Sequence, residues 1–116
     1  MGDGFVQIVG WVTPGTGAEG TVSVFNEDVP GSPSALAGAM VELRSADGVQ
    51  VLDSTQTRPD LPFNVGYTGP YQPGMRYVLV VKAKGYEPLQ REVGLHADKT
   101  NYCVITLVPS TPPPGH

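Results

Sequence analysis

The chain has 116 residues, 15 of them glycine and 12 proline, and a net charge of −4 from 7 basic and 11 acidic side chains. That length suits one domain with a single two-layer core, and a hydrophobic content of 40% argues against global disorder. No basic cluster exists to neutralise phosphates, which excludes a nucleic-acid grip and disfavours an anionic membrane surface.

Glycine and proline are scattered without a collagen period, so they read as turns between short strands, and a long helix has little room. The N-terminus has no basic region ahead of its apolar segment, so no secretory signal is expected. The segment FVQIVGWV is too short to span a bilayer, and no membrane insertion is expected. Residues 5–13 read as a first strand, with Val6, Ile8 and Val12 on one face and Phe5, Val9 and Trp11 on the other. Both faces are apolar, which suits a strand covered on both sides or lying partly against a neighbour. Pro14-Gly15-Thr16-Gly17 is a turn cluster. Residues 21–26 form a second short strand, expected to pair with the first as a hairpin. Residues 27–34, EDVPGSPS, read as a polar loop.

Ala39, Val41 and Leu43 then alternate with Met40, Glu42 and Arg44, as in a half-buried strand. Asp47-Gly48 is a hairpin turn signal that pairs this strand with residues 49–57. Residues 58–62 are a turn, 63–65 a short strand, and 66–74, GYTGPYQPG, a loop carrying Tyr67 and Tyr71. The main strand covers residues 77–84. Tyr77, Leu79, Val81 and Ala83 face a core there, and Val78, Val80, Lys82 and Lys84 face the other way. Gly85-Tyr86 ends it, and Pro88 forbids an easy continuation of the ladder. Residues 89–93 form a further strand, 96–101 a polar turn, and 102–108 a closing strand with Cys103, Ile105 and Leu107 against Tyr102, Val104, Thr106 and Val108. Seven or eight short strands at near-regular spacing predict an all-β sandwich or barrel. The domain is expected over residues 1–109, and the proline-rich 110–116 reads as a disordered tail or linker stub.

Chemistry-bearing residues are few. Cys103 is the single cysteine, so no disulfide forms within the chain, and its place in a strand makes it a small buried apolar residue. A nucleophile would need a partnered base, and none lies near it in sequence. His96 sits in a turn and His116 ends the tail. Zinc would need three or four converging ligands, and no metal site or cofactor is expected. The carboxylates Glu27, Asp28, Asp47, Asp53, Asp60 and Asp98 form no spaced calcium ladder and read as solvated loop charges. The glycine-rich 15–20 lacks the Lys-Ser/Thr and the following helix of a phosphate loop. Trp11, Tyr67 and Tyr71 are the candidate ligand-binding residues, as an aromatic platform for a sugar or peptide. In the competing reading Trp11 is core and the two tyrosines pack their own loop. Strand edges can also accept a partner strand, although the proline-marked segments equally serve to block one.

Three segments in order carry a resemblance. Residues 36–43, LAGAMVEL, look like a "pL.GA.V.L" strand. Residues 57–65, TRPDLPFNV, look like a "TD..G.F.F" turn and strand. Residues 74–86, GMRYVLVVKAKGY, look like "G.Y.L.V.A.GY". With Gly10-Trp11-Val12 as an opening "G.V" and residues 102–109 as a closing "v.L.P", the chain resembles the carboxypeptidase regulatory-like family. Pro62 stands where that family usually has glycine, and the segments 66–73 and 14–34 are longer than usual.

The resemblance implies a Greek-key β-sandwich of seven to eight strands with transthyretin-like (prealbumin-like) topology. Gly38, Ala39, Phe63, Gly85 and Tyr86 are then scaffold residues. Ala39 is small where the sheets pinch together, Gly38 and Gly85 serve positive φ or close approach, and Tyr86 folds its ring over the sandwich end. The family's recurrent residues carry over no catalytic group, so the chain is expected not to be an enzyme. The implied role is a structural or interaction module, an accessory domain of a larger surface, secreted or envelope-associated protein with an extracellular, periplasmic or cell-surface location. Its partner would be a protein or a carbohydrate. The alternative is a carbohydrate-binding module using Trp11, Tyr67 and Tyr71. More distant is a small hydrolase on the same fold, whose histidines and Tyr-Arg-Gly-Ser-like ending find no match here.

Overall fold

The computed structural model describes residues 2–15, 19–25, 27 and 35–110. Among the described residues, eight strands and no helix make an all-β sandwich of two four-stranded sheets. The strands are β1 (Asp3–Pro14), β2 (Thr21–Phe25), β3 (Met40–Arg44), β4 (Val51–Gln56), β5 (Phe63–Pro70), β6 (Arg76–Lys82), β7 (Leu89–Gly94) and β8 (Thr100–Leu107). The first sheet runs β2-β8-β1-β5 and the second β4-β3-β6-β7. The loop 28–34 and the tail 111–116 lie outside the described residues, and Ser110 is still tied to Gly85 by a 2.8 Å backbone hydrogen bond.

Period-two burial builds the core. Val6, Ile8 and Val12 of β1 face Val41 and Leu43 of β3 and Leu79 and Val81 of β6, all at most 1% exposed. Each such side chain contributes about 1.5–3 kcal/mol on leaving water. Asp47-Gly48 turns the chain between β3 and β4, with Gly48 at φ 76° and its N–H bonded to the Ser45 carbonyl at 2.7 Å. Thr57, buried, knits the start of β3 to the end of β4: its hydroxyl donates to the Leu36 carbonyl at 2.7 Å and accepts the Ala39 N–H at 2.9 Å.

Two expectations need correction. The predicted hairpin of residues 5–26 does not form, because β8 lies between β1 and β2. β8 runs parallel to β1, and β2 pairs antiparallel on its far side, Thr21 opposite Thr106 and Phe25 opposite Tyr102. The reason lies at the end of β1, where the Gly15 N–H bonds to the Leu107 carbonyl at 2.8 Å and carries the chain across the end of β8. The second correction is β5, which continues through residues 66–70, read above as loop. Gly66 pairs with Gln7 and Gly69 with Gly4. These glycines are roofed by aromatic rings: a Cβ on Gly66 would meet the Phe5 ring at 2.9 Å, and one on Gly69 the Tyr67 ring at 2.5 Å. Here glycine makes room for a ring instead of breaking the strand.

Val78 and Val80 face away from the core, as their alternation predicts, and are buried all the same. Their neighbours on β3 are Arg44 and Glu42. The Arg44 guanidinium donates to Glu42 and to the Gly48 carbonyl, so the pair lies beside both valines and the β3–β4 turn reaches Val78.

Charged groups on edge strands close the sides of the sandwich. The Asp53 carboxylate on β4 accepts the Gly66 N–H of β5 at 2.9 Å, and Arg91 on β7 donates to the Gly20 carbonyl beside β2 at 3.0 Å. Both are inward-side charges on edge strands, a device that discourages unwanted strand pairing.

Candidate functional site

The two outer faces of the sandwich differ in chemistry. The strands of the second sheet turn five charged residues outward, namely Glu42, Arg44, Arg76, Lys82 and Glu92, with Asp53 and Arg91 on the inner side. Those of the first sheet hold one, Asp3, at the very start of β1. On the second sheet Arg76 pairs with Glu92 across strands at 2.9 Å, and Arg44 pairs with Glu42 along β3.

Strand register assembles the outer face of the first sheet. Val9 lies opposite Tyr102, which lies opposite Phe25; Trp11 lies opposite Val104, which lies opposite Ser23. Alternation puts all six on the side away from the core, because their neighbours Ile8, Val12, Cys103 and Ile105 are fully buried. Trp11, Val9, Tyr102 and Val104 are half-buried by one another, and Phe25 is 43% exposed. The result is a stripe of rings, Phe25, Tyr102 and Trp11, running diagonally over β2, β8 and β1. Hydroxyls and amides flank it. Thr21, Thr106 and Thr13 form one row, with the Thr21 and Thr106 hydroxyls 2.6 Å apart, and Gln7 donates to Asn64 at 3.1 Å on the other side. At the far end Phe5, Gln7 and Thr100 border a shallow hollow with Asp98 and Lys99.

Of the three aromatics singled out in the sequence, Trp11 belongs to this face and the tyrosines do not. Tyr67 lies opposite Val6, on the core side of the sheet. Tyr67, Tyr71 and Tyr77 gather at one end of the sandwich. Tyr71 donates its hydroxyl to the Leu95 carbonyl at 2.9 Å. Burial, followed by the neighbouring phenols of Tyr71 and Tyr67, pushes the Tyr77 phenol up from its ordinary range. The scaffold residues sit as follows. Gly38 and Gly85 adopt φ of 77° and 86°, Ala39 and Phe63 are buried, and Tyr86 packs its ring on the core beside a backbone bridge to Pro109.

Sequence reasoning missed Tyr102, Val104 and Phe25 as partners of Trp11. Their alternation was visible, but the parallel β1–β8 pairing that brings them together was not. It also missed Asn101, read as part of a turn. Asn101 is a buried member of β8 whose side-chain amide holds the backbone of His96 and Gln7.

His96 itself is exposed. Cys103 is fully buried, and desolvation pushes its thiol up to about 12, which keeps it protonated. A cleft of about 290 Å³ beside β7 is lined by Glu19, Glu87 and Arg91, and Arg91 is held there by the Gly20 and Gln90 carbonyls. Among the described residues no three His, Cys, Asp or Glu side chains converge as a metal site requires, and no helix is long and apolar enough to cross a membrane. Compared with known proteins, the chain matches no family model and no curated sequence.

Proposed function

We propose that this chain is a non-catalytic interaction module, an accessory domain of a larger surface, secreted or envelope-associated protein, and that the outer face of its first sheet is the recognition surface. The observation that carries this reading is the contrast between the two faces. One outer surface is laced with ion pairs, as a solvated face usually is. The other carries its charges only at one end, beyond the rings, and exposes aromatic side chains, as contact surfaces do. A hydrolytic role finds no such support, because His96 stands in an exposed loop and the Cys103 thiol is sealed in the core.

The fold plan we propose is transthyretin-like, within the carboxypeptidase regulatory-like family. Supporting it are the "GA.V" strand β3 and the "Y.L.V" strand β6, which neighbour one another in the second sheet, and a chain that passes between the sheets at β2–β3, β4–β5, β5–β6 and β7–β8. Such crossings are the mark of Greek-key connections.

The test is chemical-shift mapping of the ¹⁵N-labelled chain against soluble polysaccharide and protein fractions of extracellular material. Shifts are expected at Val9, Trp11, Phe25, Tyr102 and Val104, with Glu42, Arg76 and Glu92 silent. Shifts confined to the second sheet, or none with any fraction, overturn the reading.

A further inference from the structure

We infer that the outer face of the first sheet binds a neutral polysaccharide chain, laid over the ring stripe Phe25, Tyr102 and Trp11. This rests on the recognition face proposed above and names its ligand class. Charge is the first argument. The strands of this sheet contain one charged residue, Asp3, and it lies beyond the stripe at the start of β1. An ionic ligand would lose its water there and find no counter-charge under the rings, which is costly. A neutral ligand pays no such penalty.

The second argument is the pattern of groups. A sugar ring has an apolar C–H face and a rim of hydroxyls. The sheet offers half-exposed aromatic faces in the middle and hydroxyl or amide side chains at the flanks: Thr13, Thr21, Ser23, Thr106 and Asn64. Stacked C–H groups take the rings, and equatorial hydroxyls exchange hydrogen bonds with the flanks.

Size is the third. The 33 residues of the four strands, at about 3.3 Å each and about 4.8 Å between strands, cover roughly 520 Å² of flat sheet. A specific protein partner takes ~800 Å² from each side. A flat face of this extent is small for a second copy of the chain, and the −4 charge on each copy opposes that pairing as well. A chain of sugar rings needs only the stripe.

Trp11 is the only tryptophan in the sequence, so its emission reports on this site alone. The experiment titrates the full chain with cellohexaose, xylohexaose, mannohexaose, chitohexaose and maltohexaose, following Trp11 fluorescence. At least one of them should give a saturable change that is insensitive to added salt, as expected for a neutral ligand. Phe25→Ala and Ser23→Glu change exposed positions and should keep the fold, checked by thermal melting. Each should weaken binding roughly tenfold or more, while Arg76→Ala on the opposite face leaves it unchanged. Silence across the panel, with concentration-dependent self-association that Ser23→Glu abolishes, overturns the glycan inference and leaves the recognition face standing. Sugar binding that Phe25→Ala and Ser23→Glu do not alter overturns both. Silence with no self-association overturns the glycan inference.

Discussion

Replacing Asn101 with alanine removes a buried amide that joins three backbone groups. The Asn101 side chain accepts the His96 N–H at 3.0 Å and donates to the Gln7 carbonyl at 2.9 Å and the His96 carbonyl at 3.0 Å. A further contact to the Lys99 carbonyl, 3.5 Å long, adds little. Asn101 is 3% exposed, so water does not replace it at the Gln7 end, whereas His96 lies at the surface and is partly rehydrated. Losing the Gln7 bond costs about 1 kcal/mol net and stranding its buried carbonyl adds about 1–3 kcal/mol, while water largely replaces the two His96 bonds, for a total of roughly 3 kcal/mol. With an unfolding entropy near 2.1 cal/mol/K per residue over 116 residues, this lowers Tm by roughly 12 °C. Urea unfolding followed by Trp11 fluorescence and far-UV circular dichroism measures it. Asn101→Asp keeps the acceptor for His96 but sets a second carboxylate oxygen against two carbonyls. At neutral pH it should cost more than alanine, and part of the loss should return in acid, where the protonated carboxyl donates again. The folded carboxyl is raised in that variant, so its penalty grows as pH rises through the range of an unfolded aspartate. A loss for Asn101→Ala below about 1 kcal/mol would mean that water fills the site, and the account of this loop fails.

Four other outcomes follow from the structure. Gly10→Ala should cost about 3 kcal/mol or more, because its Cβ would run into the carbonyl oxygen and sulfur of Cys103 across the β1–β8 pair, and backbone must move; chemical denaturation reads it. Gly38→Ala and Gly85→Ala meet no neighbour within 4 Å and should cost only the left-handed backbone penalty, about 1–2 kcal/mol each by the same measurement. The Cys103 thiol, held neutral up to about 12, stabilises the fold fully below the unfolded thiol pKa and loses that stabilisation as pH rises toward the folded value. Stability should therefore fall by about 1.4 kcal/mol per pH unit in that window, and Cys103→Ala should flatten the slope in alkaline urea titrations. Asp53→Ala frees the Gly66 N–H on β5 and should both lower stability by about 1 kcal/mol and promote association through that edge, seen by size-exclusion chromatography.

What could be read without coordinates was what depends on one strand at a time. β3 and β6 announce themselves by alternation, and Asp47-Gly48 by its turn chemistry, since each signal sits within a dozen residues. What could not be read depends on which strands meet. Gly66 and Gly69 look like breakers until Phe5 and Tyr67 are seen lying over them. β2 looks like the partner of β1 because hairpins are the commonest short connection, and only the parallel insertion of β8 overrules this. Asn101 carries ordinary turn composition, and its burial follows from a place in β8 that local rules assign to a loop. Trp11 was identifiable as a candidate, but its neighbours Tyr102 and Phe25 are about 90 and 14 residues away along the chain, and no local pattern links them.

The aromatic outer face is not something the fold requires. The core is complete without it, because Ile8, Val12, Cys103 and Ile105 are buried from the other side of the same strands. Outward positions of a half-exposed sheet accept lysine or glutamate freely, as Lys82 and Glu92 do on the second sheet. Filling the equivalent positions of the first sheet with Val9, Trp11, Phe25, Tyr102 and Val104 buries those side chains only in part and adds the hazard of an exposed apolar patch. The chain gathers its aromatic rings on this face, whereas the second sheet exposes only the aliphatic Met40 and Val51 among its charges, and it closes the neighbouring edge with Asp53, so strand-to-strand association is discouraged where face contact is left open. A surface arranged in that way selects for something that lies on the sheet over something that extends it.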